Sequence, residues 1–123
     1  MSDILVADDD VLTRGLVSDW LTEAGYQVRQ ADDGEAALAV LRARPVRLLI
    51  TDMQMPRLSG AETLAAVRRD LPALRVIAMS AAFDSRRTPS TTTALALGAR
   101  RVLSKPFARQ ELLAAVREVL QSA

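Results

Sequence analysis

The sequence contains no cysteine and no histidine among its 123 residues. Without cysteine there are no disulfides, no thiol catalysis and no thiolate metal sites, so nothing in the chain demands an oxidising compartment. Without histidine there are no histidine–zinc sites, no histidine-based catalytic triads and no histidine phosphocarrier. Covalent chemistry is therefore restricted to Asp, Glu, Ser, Thr, Tyr and Lys side chains.

Long apolar runs are absent as well, since no stretch approaches the roughly 20 apolar residues of a membrane span. The amino terminus lacks a basic region followed by a long apolar one, which is the pattern of a secretory signal. We therefore expect a cytoplasmic protein without membrane insertion. Half of the residues are hydrophobic, so we expect residues 1–123 to form one domain with a buried core.

Charge is distributed unevenly along the chain. Residues 1–62 carry a net charge of −5, and residues 63–123 carry +6. The basic half contains three separate arginine pairs, Arg68-Arg69, Arg86-Arg87 and Arg100-Arg101. These pairs lack the interleaved aromatic residues that stack on bases, so the pattern favours a solvated or protein-docking surface. We expect no direct binding of nucleic acid.

Apolar runs of about four residues alternate with amphipathic stretches of about ten to fifteen residues, which is typical of strand–helix units on a parallel sheet. The pattern predicts five strands, near residues 3–7, 26–31, 47–52, 75–80 and 101–104. Each strand is followed by a predicted helix. The first of these helices begins after Asp10, which we interpret as a favourable charge in its first turn. Its apolar face is predicted to consist of Leu12, Leu16, Trp20 and Leu21.

Capping signals mark the starts of two further helices. Glu35 stands three residues after Asp32, and Glu62 stands three residues after Ser59, which is the spacing of a capping box. We expect the second helix to begin at Asp32 or Asp33 and the third to begin after Ser59.

Polar side chains follow four of the predicted strands. The pair Asp8-Asp9 comes directly after the first strand, and Asp52 ends the third. Ser80 ends the fourth, and Lys105 directly follows the fifth. Because parallel strands joined by right-handed crossovers point the same way, their carboxyl ends meet at the edge where such sheets bind ligands. We therefore expect these side chains to form one site.

The charges of this site predict a metal ion. Clustered carboxylates repel one another and stay ionised only when positive charge lies among them. Lys105 is the only lysine among the sixteen basic residues, and one ammonium does not balance three carboxylates. The deficit suits Mg²⁺, which commonly takes one or two carboxylates, several waters and a phosphate oxygen. The pattern indicates magnesium-dependent phosphoryl chemistry on an aspartate.

Taken together, the motifs resemble the receiver domain of response regulators in two-component signalling, and the chemotaxis response regulators in particular, over the whole chain. The resemblance rests on five motifs in this order: Asp8-Asp9, Asp52-Met53-Gln54-Met55-Pro56 with Gly60, Ser80-Ala81, Gly98-Ala99 and Lys105-Pro106-Phe107. It implies a doubly wound, flavodoxin-like α/β fold. The expected sheet has five parallel strands in the order 2-1-3-4-5, with helices on both faces.

The resemblance also implies a function. Asp52 would accept a phosphoryl group from a phosphohistidine on a sensor histidine kinase or a histidine phosphotransfer protein, and would later lose it to water. Lys105 would neutralise charge on the transferring oxygens, and Ser80 would bond a phosphate oxygen as a switch residue. Such a protein is a signalling module rather than a turnover enzyme, although it catalyses its own phosphorylation and dephosphorylation.

By the same resemblance, Asp9 and Asp52 would bind Mg²⁺ directly together with the backbone carbonyl of Gln54. Asp8 would act through a coordinated water. Pro106 is expected to follow a cis peptide bond, as its counterparts in the family do.

Phosphorylation is expected to rearrange the surface formed by the fourth helix, the fifth strand and the fifth helix. A second copy of the chain is a further expected partner, in a homodimer formed on phosphorylation. In many relatives an aromatic residue three positions before the lysine follows this change, but this chain has Val102 there. The fourth helix is predicted to be short, from Thr91 to Leu97. The preceding segment, residues 82–93, is rich in Arg, Ser, Thr and Pro and is our candidate for the switching or recognition loop.

Two other functions stay open at this point. One is a magnesium-dependent phosphohydrolase with an aspartyl-phosphate intermediate, but such enzymes commonly place a second acid two residues after the nucleophile, where this chain has Gln54. The other is a degenerate receiver that only binds partners, and the intact acids, Ser80 and Lys105 argue against it.

Overall fold

Five short segments of the chain form the strands of a single sheet. In a computed structural model, which describes residues 3–55, 58–81 and 94–121, the strands are β1 (Ile4–Ala7), β2 (Val28–Ala31), β3 (Leu48–Asp52), β4 (Arg75–Ala81) and β5 (Arg101–Lys105). The helices are α1 (Val11–Glu23), α2 (Gly34–Ala43), α3 (Gly60–Asp70) and α4 (Arg109–Gln121). Helix α4 is the one predicted as the fifth.

The predicted fourth helix falls partly outside the described residues. Residues 94–96 are helical, and residues 91–93 are among those not described. The candidate switching loop at residues 82–93 also lies outside the described part of the chain.

All neighbouring strands are parallel, and their order is β2-β1-β3-β4-β5. The predicted fold class and strand order are therefore confirmed. The register pairs, across the carboxyl end of the sheet, Ala7 with Thr51, Asp52 with Met79 and Ala81 with Lys105. The last residues of four strands consequently lie side by side at one edge.

Helices cover both faces of the sheet. Alternate residues of a strand point to opposite faces, so Leu5 and Leu49 pack into the core under α2 and α3. Ile4 and Ile50 pack into the second core, under α1 and α4. The central strands are buried on both sides, which explains why their sequences read as continuous apolar runs.

The apolar face predicted for α1 is partly wrong. Leu12 is 83% exposed and Leu16 is 49% exposed. The residues of α1 that pack into the core are Val17 and Leu21, four positions apart, with Trp20 partly buried beside them. Packing against α4 and the sheet decides which residues of α1 are buried. Helical periodicity alone did not show that Val17 is buried and that Leu12 and Leu16 are exposed.

Caps set the starts of α2 and α3. Asp33, not Asp32, caps α2, because the Asp33 side chain accepts a hydrogen bond from the amide of Ala36 at 2.7 Å. The predicted capping box between Asp32 and Glu35 is therefore wrong. The box at α3 is confirmed: the Ser59 hydroxyl accepts from the Glu62 amide at 3.1 Å, and the Glu62 carboxylate accepts from the Ser59 amide at 3.0 Å.

None of the described helices combines the length and the apolar character that a membrane crossing requires.

Candidate functional site

Asp8 follows β1 and is completely buried. Its amide donates to the carbonyl of Ala31 at 3.1 Å. Its carboxylate accepts from the amide of Asp10 at 2.9 Å and from Nζ of Lys105 at 2.9 Å. Its carbonyl accepts from Nη1 of Arg14 at 2.7 Å. Every polar group of Asp8 therefore has a partner, which is what a fully buried charged residue requires.

Asp52 is the last residue of β3, and only 7% of its surface is exposed. One carboxylate oxygen accepts from Nζ of Lys105 at 3.2 Å, and the other accepts from the amide of Gln54 at 3.3 Å. The start of α3 lies against this segment, because a Cβ added to Gly60 would come within 2.5 Å of the Asp52 carbonyl oxygen. A glycine at this position therefore allows α3 to approach the carboxyl end of β3 closely.

Lys105, the last residue of β5, lies between the two buried acids. Its Nζ donates to both Asp8 and Asp52, although their positions in the chain are far apart. Burial is the largest single influence on the pKa of Lys105 and lowers it, but the hydrogen bond to Asp8 and the charges of both acids together outweigh burial and raise the pKa. The side chain is therefore an ammonium at neutral pH. The peptide bond to Pro106 is cis, as the resemblance implied.

The environment of Asp52 disfavours its ionised form. Burial first and the negative charge of Asp8 second raise the pKa of Asp52 from 3.8 to about 6, against the opposing effect of Lys105. The carboxylate is thus mostly ionised at pH 7 but is poorly stabilised. One ammonium between two acids does not neutralise the site, as the sequence suggested.

Asp9 completes an acidic cluster. Its side chain is exposed, whereas those of Asp8 and Asp52 are buried. The three residues each offer one carboxylate oxygen, and these oxygens lie within 4.8 Å of one another. Hard oxygen ligands around a site with too little positive charge are what Mg²⁺ requires, so the donor set fits a metal of this class.

Ser80 lies near the end of β4, one residue beyond the partner of Asp52, and is 1% exposed. Within the described residues its hydroxyl has no hydrogen-bond partner. A buried hydroxyl without a partner is uncommon and unfavourable. The same edge of the sheet therefore offers an unused donor as well as the charged groups.

Asp10 and Val102, two further residues named in the sequence analysis, lie outside the acidic cluster. Asp10 caps α1 by accepting from the amide of Leu12 at 3.1 Å and from the hydroxyl of Thr13 at 2.7 Å. The hydrogen bond from Thr13 contributes most to a lowered pKa of Asp10. Val102 is half-buried in β5, opposite Ala78 of β4. Asp10 is thus engaged at the helix start, as expected.

Arg14 contacts the site without any sequence signal to mark it. It stands on α1 as one of sixteen basic residues. Only the folded chain shows that its guanidinium lies behind the acidic pair, against the carbonyl of Asp8. Contacts made by a side chain to a backbone carbonyl leave no pattern of spacing in a sequence.

Comparison with known proteins gives a consistent result. The family model described as the response regulator receiver domain matches residues 4–117. A probable chemotaxis protein CheY of Rhizobium etli is 35% identical over 117 residues, which cover 94% of this chain and 90% of that protein. The receiver domain of NtrX from Brucella abortus has a similar structure, with a TM-score of 0.92 at 31% identity, covering 98% of this chain and all of that one.

Other relatives are longer than this chain. The transcriptional regulatory protein CpxR of Klebsiella pneumoniae is 36% identical over 123 residues, which cover 98% of this chain but 50% of that protein. This chain therefore spans nearly all of a chemotaxis relative and about half of a transcriptional regulator.

Proposed function

Because the chain belongs to the response regulator receiver domain family of two-component signalling, we propose that Asp52 is its phosphoacceptor. Receivers of this kind are phosphorylated by histidine kinases. The observation that carries the proposal is the position of Lys105, whose Nζ lies 3.2 Å from a carboxylate oxygen of Asp52. Asp52 also lies at the carboxyl end of its strand, where such sheets bind ligands, and its pKa is raised.

In the proposed reaction, a carboxylate oxygen of Asp52 attacks the phosphorus of a phosphohistidine on a kinase or a phosphotransfer protein. The new O–P bond forms as the P–N bond breaks, and the imidazole leaves with the bonding electron pair. Lys105 stabilises negative charge on the phosphoryl oxygens, and its contact with Asp8 holds the ammonium in place. Hydrolysis of the resulting acyl phosphate would return Asp52 to its free form.

The acidic cluster is proposed to hold Mg²⁺. Asp9 and Asp52 would be direct ligands together with the carbonyl of Gln54. Asp8 would act through a water, which agrees with the engagement of both its carboxylate oxygens by Asp10 and Lys105. When bound, Mg²⁺ supplies positive charge to the phosphoryl oxygens.

Ser80 is proposed as the switch residue. Its buried hydroxyl has no partner in the described part of the chain and would gain one by bonding a phosphoryl oxygen. The movement of Ser80 toward the phosphoryl group would alter the surface that includes β5 and α4, the helix predicted as the fifth. Val102 lies in β5 where many relatives have an aromatic residue, so coupling would use the backbone or the segment at residues 82–93.

The two alternatives are less well supported. A phosphohydrolase would commonly have a second acid at the position of Gln54, and it would need a pocket for an organic substrate. A cavity of about 530 Å³, lined by Arg42, Leu71 and Arg75 among others, lies where α2 and α3 end, at the opposite end of the strands from Asp52. A cavity that Lys105 lines has only about 130 Å³, which is small for an organic substrate. A degenerate receiver would not need the contacts that Lys105 makes with two buried acids.

The partners and location form part of the same proposal. The donor would be a sensor histidine kinase or a histidine phosphotransfer protein, in the cytoplasm. The output would depend on whether the chain has about the length of the chemotaxis relative or forms part of a longer regulator. A homodimer formed on phosphorylation also stays a prediction.

Labelling with a small phosphodonor tests the proposal. Acetyl phosphate and Mg²⁺ should give an acid-stable, base-labile label on the wild-type protein, which shows self-phosphorylation directly. Asp52→Asn should abolish the label, and removal of Mg²⁺ with a chelator should do the same. Asp19→Asn, which removes an exposed acid on α1, should label normally. Retention of the label in Asp52→Asn would place the nucleophile elsewhere.

A further inference from the structure

Arg14 connects three parts of the fold behind the acidic cluster. From α1, its Nη1 donates to the carbonyl of Asp8 at 2.7 Å, and its Nε donates to the side-chain carbonyl of Gln30 at 3.0 Å. Gln30 belongs to β2, the edge strand next to β1. The guanidinium therefore fastens the chain just after β1 to the neighbouring strand. Its fork of separate nitrogens can reach two acceptors at once.

The carbonyl that Arg14 holds belongs to the peptide group between Asp8 and Asp9. The side chain of Asp8 is fixed independently by Asp10 and Lys105. The carboxylate of Asp9, by contrast, is exposed, so the packing around it constrains it little. The direction in which Asp9 points therefore depends on the orientation of the peptide plane before it.

We propose that Arg14, anchored by Gln30, is a positioning residue that orients the Asp9 carboxylate for metal binding by holding the Asp8 carbonyl. This role rests on the proposed function, because it assumes that Asp9 is a ligand of Mg²⁺. It adds a residue that is itself neither a proposed metal ligand nor a proposed phosphate contact. Residues that orient metal ligands from behind commonly affect metal affinity about 10- to 100-fold.

The positive charge of Arg14 and its proposed positioning role predict opposite changes in Mg²⁺ affinity when Arg14 is removed. Arg14 is a cation close to an acidic site, so its removal should reduce repulsion of Mg²⁺ and tighten binding. Loss of a positioning contact should weaken binding instead. The sign of the change in Mg²⁺ affinity therefore separates the two effects.

Calorimetric titration with MgCl₂ measures this affinity without any phosphodonor. We expect Arg14→Ala to weaken binding about tenfold. Gln30→Ala removes only the anchor and no charge, and should weaken binding by a smaller factor, about threefold. The double variant should bind about as weakly as Arg14→Ala, because both substitutions break one linkage. Arg117→Ala, which removes an exposed arginine from α4, is the matched control and should bind like the wild type.

Unchanged or tighter Mg²⁺ binding by folded Arg14→Ala would overturn the positioning role. Circular dichroism melts without Mg²⁺ show whether the variant folds, and if it does not, Gln30→Ala decides alone: wild-type affinity in that variant would overturn the role. Failure of the proposed function would look different. In that case the wild-type protein itself would neither bind Mg²⁺ nor label on Asp52.

Discussion

The raised pKa of Asp52 means that its charge destabilises the metal-free fold at neutral pH. Asp52→Asn should therefore increase stability while it abolishes phosphorylation. The amide has nearly the shape of the protonated acid and keeps an oxygen that can accept from Lys105. The variant thus mimics the protonated form of Asp52, which folding stabilises relative to the ionised form.

The magnitude follows from the shift. The pKa rises from 3.8 to about 6, and at about 1.36 kcal/mol per pKa unit this corresponds to about 3 kcal/mol as an upper bound. The Lys105 side chain beside Asp52 is 21% exposed, so solvent screens part of the effect and we expect about 1–2 kcal/mol. For a domain of this size, that gain should raise the melting temperature by about 4–8 °C.

The pH dependence has a defined sign. Between about pH 4 and pH 6 the folded wild-type protein holds a proton on Asp52 that the unfolded chain has released. Its free energy of unfolding therefore falls, through this group, as the pH rises across that window. The Asn variant lacks this dependence. Its advantage should be absent at about pH 4 and complete above about pH 6.

Urea denaturation of both proteins at several pH values, with a chelator present, measures this difference. Asp19→Asn controls for the change in net charge, because it removes an exposed carboxylate on α1. Added Mg²⁺ should stabilise the wild type more than Asp52→Asn and so narrow the gap. An Asn variant no more stable than the wild type at pH 7, or a gap that does not change between pH 4 and pH 7, would refute the reasoning.

Two further substitutions test the roles of the other buried groups. Lys105→Arg keeps the charge but not the compact ammonium that contacts two acids, so acetyl phosphate labelling should slow markedly while the melting temperature stays close to that of the wild type; loss of the cooperative melt would contradict this. Ser80→Ala removes a buried hydroxyl without a partner in the described residues and should raise the free energy of unfolding by about 1 kcal/mol in denaturant titrations; a clear loss of stability would show that the hydroxyl already has a partner.

The sheet and the position of its site could be predicted from the sequence because they depend on short, regular features. The strands of the buried core, such as Leu48–Asp52, begin and end within about two residues of the predicted limits. Once the strands are parallel, the residues at their carboxyl ends must be neighbours. The convergence of Asp8, Asp52 and Lys105 followed from this geometry alone.

Features that depend on the choice among equivalent side chains could not be predicted in the same way. Asp32 and Asp33 are adjacent and chemically alike, and only the extended, buried conformation of Asp33 makes it the cap of α2. The stripe of α1 that packs against α4 includes Val17 rather than Leu12. The contact of Arg14 with a backbone carbonyl has no counterpart in any spacing rule. Each of these outcomes is decided by tertiary packing.

The buried polar groups at the carboxyl edge of the sheet divide into two kinds. Asp8 has a partner for every polar group, so it forms part of the fixed framework. Asp52 carries a poorly stabilised charge, and the hydroxyl of Ser80 lacks a partner in the described residues. A bound cation would relieve the first of these deficits, and the oxygens of a phosphoryl group on Asp52 would relieve the second. In the proposed function, phosphorylation would therefore add stabilising contacts that the free protein lacks. The difference in free energy between the two forms is what would shift the protein toward a second conformation.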